Sequence, residues 1–314
     1  MLILVVLSLV LLLRGFDKPE REALFWGTVF LGIHLVHLIL PVTTLAAGLW
    51  IGAILTIRFI WGKWPGMRHL AWRLGLMLPF LLVASMPTRF LDAGRYYNQT
   101  VRWFEQGLMA GLGNFDLYLI QASAGHSFEA LGNALLARGQ NEIVPLVAAL
   151  LLARGMEHLR WRGPDLLLVG LTMGVMTQFA QASAPDLLLV GLLLAAGPRP
   201  NPALRMVLLV LFPLVKLYGI LYALWLWWPK RRAPWAGVAL VGGGTLAGLK
   251  LIYLAGWLPW IGSLGLPWSI TEAAGEFIGN AVGGAAELNP GHSLELLGGL
   301  RFIEVLVLTL LMAL

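Results

Sequence analysis

The stretch MPTRFLDAGRYYNQTVRWFEQG, residues 86–107, puts Asp92, Arg89, Arg95, Arg102, Tyr96, Tyr97 and Trp103 into the one long polar stretch of an otherwise apolar chain. A carboxylate next to low-dielectric surroundings has its pKa raised, which suits proton abstraction. Asp92 therefore fits a general base, or a group that orients a nucleophile, working at a membrane surface. Aspartate is also among the best helix N-caps, so Asp92 could equally open a helix over residues 93–106. Arg95 and Arg102 stand seven apart on one helix face, where they could contact phosphate.

Two lysines lie in apolar surroundings, Lys216 and Lys250. An ionisable group inside an apolar span is costly and marks a functional candidate, unless the side chain snorkels to the surface. An ammonium in a low-dielectric cleft holds an anion far more strongly than in water, so a phosphate is the natural ligand. Asp186 follows Pro185 between two short apolar runs, either as a cap or as another polar group in the same cavity. The segment GWLPWIGSLGLPWS, 256–269, carries Trp260 and Trp268. Tryptophan is expected at a membrane interface, and its faces also stack on sugar rings. His34 and His37, at i and i+3 on one helix, cannot be the two axial ligands of a haem and read as polar packing. His126 and His292 have acids nearby, but their spacing is too loose for a metal site. No metal ligands are assigned, and the residues do not decide whether a divalent cation assists. Asn98-Gln99-Thr100 matches a glycosylation sequon, a short pattern frequent by chance.

The elements that must position these groups are membrane helices. Of 314 residues, 59% are hydrophobic and 12% charged, with a mean hydropathy of +0.79. A soluble domain carries roughly 25% charged residues. We therefore expect one all-α, polytopic domain over 1–314, with an outer loop bearing juxtamembrane helices at 89–142 and a second outer loop at 258–296. The chain has no cysteine, which excludes disulfides and thiolate metal sites. The net charge of +6 reflects cytoplasmic loops rather than a nucleic-acid partner.

Five cationic clusters set the path: Arg14, Lys18 and Arg21; Lys63, Arg68 and Arg73; Arg154, Arg160 and Arg162; Arg199 and Arg205; Lys230, Arg231 and Arg232. Placed inside, they leave the N-terminus, the Asp92 loop and the Lys- and Arg-free stretch 258–296 outside a bacterial inner membrane. Met1 to Leu13 lacks the charged start and cleavage site of a signal peptide and reads as a retained helix. The outer segments hold acids, Glu105, Asp116, Glu129 and Glu142 among them. Apolar spans read at 24–40, 42–61, 72–88 and 234–257. Residues 206–228 run between two cationic clusters and are broken at Val215-Lys216, so they must go in and come back as a short hairpin with Lys216 near its tip. The total comes to about ten membrane segments, some short, with an amphipathic outer helix after residue 92. Two small repeats, PDLLLVG at 164–170 and 185–191 and GHS-F/L-E at 125 and 291, read as helix punctuation. The first puts Pro at a helix start, and the second offers Ser127 as an N-cap.

The ordered motifs D-A-G-R-Y-Y-N-Q-T-V-R-W-F-E-Q-G…G-L-G-N (92–114), A-S-A-P-D (182–186), V-K-L-Y-G (215–219) and G-W-L-P-W…L-P-W (256–268) resemble a bacterial branch of the GT-C type polytopic glycosyltransferases. That resemblance implies transfer of a sugar from a polyprenyl-phosphate donor at the outer membrane face. It puts the acidic role on Asp92 and a donor-phosphate contact on Lys216, with Lys250, Arg95, Tyr96, Tyr97, Asp186, Trp260 and Trp268 around the substrate. Tyr97 departs from the branch, where a histidine is common. The alternative is a non-catalytic membrane subunit that scaffolds a larger assembly, which the 14 tryptophans and the Gly-rich spans also suit.

Overall fold

The computed structural model describes residues 11, 13–84, 98–106, 122–136, 143–157, 185–216 and 218–254. Among these the regular structure is helical, with one isolated antiparallel bridge, Gly15 to Lys63. The helices are α1 (Pro19–His37), α2 (Thr44–Trp61), α3 (Met67–Ala84), α4 (Asn98–Gln106), α5 (Ala124–Leu136), α6 (Ile143–Gly155), α7 (Pro185–Ala196), α8 (Pro202–Val215), α9 (Gly219–Trp227) and α10 (Pro234–Leu254).

Helix α6 is the axis of the packing. Every residue from Val144 to Gly155 is buried, as an all-round apolar helix requires when it lies in a core. Around it stand α1, α3, α5 and α7, and α8 closes the far side of α1. Trp72 of α3 donates its indole N–H to Ala153 O of α6 at 3.2 Å. Helix α10 lies along α8, and the approach is close at Gly243, where a Cβ would stand 2.5 Å from Leu209 O.

Two helices, Thr44–Trp61 and Pro234–Ile252, are long and apolar enough to cross a membrane. Both turn most of their surface outward, with Leu45 74% and Val238 72% exposed. The other two long helices carry charge in their opening turns, Glu20, Arg21 and Glu22 in α1 and Arg68 in α3.

The 206–228 segment does fold back on itself. Arg205, near the start of α8, donates from Nη1 to Leu226 O, near the end of α9, at 3.1 Å. Lys216 is the extended residue that ends α8. The return begins at Gly219, whose N–H donates to Lys216 O at 2.9 Å. Any side chain at Gly219 would strike the Phe212 carbonyl, so the tip needs glycine.

The described members of the five cationic clusters gather at one end of the bundle. Gly15 pairs with Lys63, Arg14 donates to Gly62 O, and Arg154 donates to Phe16 O at 2.6 Å. Glu20 accepts the Asn201 N–H, which brings the start of α8 to the same end. Helix α4 sits at the opposite end, where Phe104 O accepts the Val42 N–H at 2.8 Å. Its Val101 and Phe104 are buried and its Arg102 is exposed, the two faces expected of an amphipathic helix.

Candidate functional site

The break between α8 and α9 creates the site. Helix α8 carries Pro213 in its last turn and stops at Val215, so the carbonyls of that turn lack helical partners. Lys250, reaching across from α10, takes one of them: its Nζ donates to Leu214 O at 2.9 Å and to Ala122 O, just before α5, at 2.5 Å. A cation at a helix C-terminus is also favoured by the helix dipole. An ammonium has three N–H donors, and these two bonds use two of them.

Lys216 lies beside this group. Its Nζ is 3.8 Å from Asp186 Oδ2 and 5.7 Å from the centre of the Tyr218 ring. Asp186 stands in the first turn of α7, directly after Pro185, where an acid complements the helix N-terminus. The Lys216 and Asp186 side chains keep 11% and 22% of their surface exposed, whereas Lys250 is buried. Three of the residues singled out from the sequence, Asp186, Lys216 and Lys250, thus come together from α7, the α8–α9 tip and α10. Asp92, Arg95, Tyr96, Tyr97, Trp260 and Trp268 lie outside the described residues.

The floor of the site was not legible in the sequence. Ser123 Oγ accepts from Gly125 N at 3.0 Å and from His126 N at 3.4 Å, so Ser123 caps α5. The cap expected at Ser127 is therefore displaced by four residues. Ser127 lies inside the helix, donates to Ala124 O at 2.9 Å, and has its Oγ 3.3 Å from His34 Nδ1. With that hydroxyl proton committed, His34 Nδ1 must be the donor. His126 is the reverse case: its Nδ1 accepts the Ser123 N–H at 3.3 Å, so its neutral ring carries the proton on Nε2. Burial first, and then the nearby charges of Lys216 and Lys250, push His126 down to about 3. His34 and His126 thus face the lysine group as polar floor. The only sequence signal for this was the pair of Gly-His-Ser segments. Glu129, one of the acids of the segment read as outer, is buried and accepts the Val144 N–H at 3.2 Å, capping α6.

About 20 Å away along α1, at the cationic end, a second charged group is differently built. Glu22 and Arg58, both fully buried, are in direct contact. Glu22 also accepts from Trp26 Nε1 at 2.9 Å and from Phe16 N at 3.0 Å. The rings of Phe16, Phe25 and Trp26 surround the Arg58 guanidinium at 5.5–5.8 Å. Glu157 joins Arg73, at 2.7 Å, to Arg154. Arg154 Nε lies 4.0 Å from Glu22 Oε2, so the two pairs form one network. Among the described residues no three His, Asp or Glu side chains converge as a metal site would need.

No curated protein and no solved structure matches the chain. Residues 1–196, more than half of its length and including α1 to α7, match the family described as Domain of unknown function (DUF8201), and the chain belongs to that family.

Proposed function

We propose that this chain is a polytopic membrane protein of the GT-C kind, with about ten membrane segments. In this reading it transfers a sugar from a polyprenyl-phosphate donor at the extracytoplasmic face. The observation that carries the reading is the convergence of Lys216 and Lys250 at a broken helical hairpin, Lys250 buried and Lys216 nearly so. Irregular backbone is tolerated at membrane depth where it is buried in protein or lines a polar cavity. The outward apolar faces of α2 and α10 suit lipid contact, and the gathering of cationic clusters at one end suits a cytoplasmic side. Helix α4 then lies at the outer surface.

In the proposed reaction the acceptor hydroxyl oxygen bonds to the anomeric carbon. The bond from that carbon to the donor phosphate oxygen breaks, and its electron pair leaves with the polyprenyl phosphate. Asp92 takes the hydroxyl proton, while Lys216, Lys250 and Arg95 hold the phosphate. The test is mass spectrometry of the lipids that co-purify with wild type and with Lys216→Ala. A polyprenyl phosphate or its sugar conjugate, present in wild type and lost in the variant, is the expected result. Transfer that survives Asp92→Asn unharmed removes Asp92 from its role.

A second reading, a non-catalytic scaffold in a membrane assembly, draws on the Lys216–Asp186 pair and on the two carbonyls that already engage Lys250. Bulk phospholipid alone in both samples favours it.

A further inference from the structure

The two helices long and apolar enough to cross a membrane, α2 and α10, each meet a turn of the same make-up at the cationic end. Helix α2 runs out through Trp61-Gly62-Lys63-Trp64, and Trp228-Pro229-Lys230-Arg231-Arg232 leads into α10. Both turns are held by main-chain bonds. In the first, the Gly15 N–H donates to Lys63 O at 3.1 Å and the Lys63 N–H to Gly15 O at 2.8 Å. In the second, the Ala233 N–H donates to Lys230 O at 2.8 Å, and the Arg231 guanidinium lies 4.7 Å from the centre of the Trp228 ring. The side chains face outward: Trp61 is 63%, Trp64 53% and Trp228 61% exposed, and Lys63, Lys230, Arg231 and Arg232 are exposed as well.

These four cations lack acids both along the chain and in space. No Asp or Glu occurs from residue 23 to 91 or from 187 to 271, the stretches that contain the two turns. Among the described residues the ion pairs of this end belong to Arg21, Arg58, Arg73 and Arg154. A lysine on a solvated face needs no partner, but these four stand elsewhere. Each lies where the outward apolar surface of a long helix ends, beside an exposed tryptophan. Phe59 and Ile60 close that surface on α2, and Val238 opens it on α10. Apolar surface, then an amphipathic ring, then a cation is the order in which a bilayer offers acyl chain, interface and head group. The cations complete the match only where the head groups carry net negative charge.

We infer that the two turns bind the head groups of anionic phospholipids, with Lys63, Lys230, Arg231 and Arg232 on the phosphate charge and the tryptophans at interface depth. This rests on the membrane part of the proposed function and on no part of the transfer chemistry. Phosphatidylglycerol has the net charge required. Phosphatidylcholine has the same phosphate but balances it with a trimethylated nitrogen.

Native mass spectrometry of the full chain in mild detergent, equilibrated with equal amounts of the two lipids on identical acyl chains, tests the site. Phosphatidylglycerol should be retained over phosphatidylcholine about fivefold or more, the factor that one Lys or Arg near an anionic surface is worth. The preference should shrink as salt rises from about 0.1 to 1 M and the Debye length falls from about 10 to 3 Å. Lys63→Gln combined with Lys230→Gln, Arg231→Gln and Arg232→Gln should erase it. Equal retention of the two lipids by wild type overturns the inference, and so does a preference that survives in the fourfold variant. A wild-type preference indifferent to salt overturns it without any variant. Wild type that takes up a polyglutamate peptide in place of phosphatidylglycerol marks an acidic protein as the partner, and the inference falls. Lys216→Ala should leave the preference intact, and its loss there would move the anion to the α8–α9 tip and sink the inference. Release of the chain from membranes by alkaline extraction sinks the membrane reading as well, whereas a chain that stays in membranes without the lipid preference sinks the inference alone.

Discussion

At the cationic end of the bundle three arginines meet two glutamates with aromatic rings packed around them, while at the α8–α9 tip Lys216 pairs with Asp186 and Lys250 donates to two main-chain carbonyls. Both groups bury charge and each carries one more cation than acid, but the first spreads it over a network of side-chain ion pairs. Glu22 takes four contacts, from Arg58, Arg154, Trp26 and Phe16, and leaves little for any ligand. The second, among the described residues, meets one partly exposed acid and two main-chain carbonyls, and it sits on a helix break. Burial of charge alone therefore does not mark a functional site.

The contrast can be broken most sharply at the cationic end. Arg58→Ala strands Glu22 in the core and should cost about 3–5 kcal/mol, the usual penalty for splitting a buried pair. Thermal unfolding in mild detergent reads the loss, and a shift no larger than that of an exposed-site control would erase the distinction between the two groups. Next comes Lys250→Met, which removes the donor to Leu214 O and Ala122 O. It should cost about 1–3 kcal/mol and weaken retention of any phosphate lipid. Retention equal to wild type would leave Lys250 as a cap only.

A pH series sharpens the comparison. His126 is held neutral in the fold, with its pKa pushed down to about 3. The unfolded chain takes up a proton near pH 6.5, so the stability from keeping this ring neutral is present above that value. It is lost as pH falls toward 3. Melting temperature should drop on acidification below pH 7, and the drop should level off at a higher pH in Lys250→Met, where one repelling charge is gone. Levelling at the same pH in both proteins would remove Lys250 from the electrostatics of the floor. The smallest effect is expected at Glu105 of α4, where burial pushes the carboxyl upward against the pull of Asn133 and Arg102. A raised carboxylate pKa makes ionisation unfavourable to the fold, so Glu105→Gln should slightly raise the melting temperature at pH 8 and do nothing at pH 4.

The parts of this structure that sequence could disclose are those fixed by local physics. The hairpin at 206–228 follows from length against charge, and the opening of α7 follows from Pro185. Span and turn spacing already implied that the cationic clusters would meet. What stayed hidden depends on tertiary partners. Ser123 and Ser127 are equally good caps by type, and the choice between them is made by where the chain enters α5 and by His34 of α1. The cap that Glu129 gives α6 comes from a residue 15 positions before Val144, on another helix. The Glu22–Arg58 pair joins residues 36 apart on different helices, and no periodicity announces it.

The hairpin has a consequence for biogenesis. At 14 and 9 residues, α8 and α9 reach only about 21 and 14 Å along their axes, short of the roughly 30 Å hydrocarbon layer. On the proposed membrane reading, neither is long enough to cross the layer alone, so the two would enter as a unit. The tip they present carries an orphan carbonyl until Lys250 arrives, and Lys250 lies 34 residues downstream of Lys216. Synthesis of α10 is therefore the event that seals the turn, and a nascent chain halted before residue 250 should hold α8 and α9 in a state open to proteases and quality control.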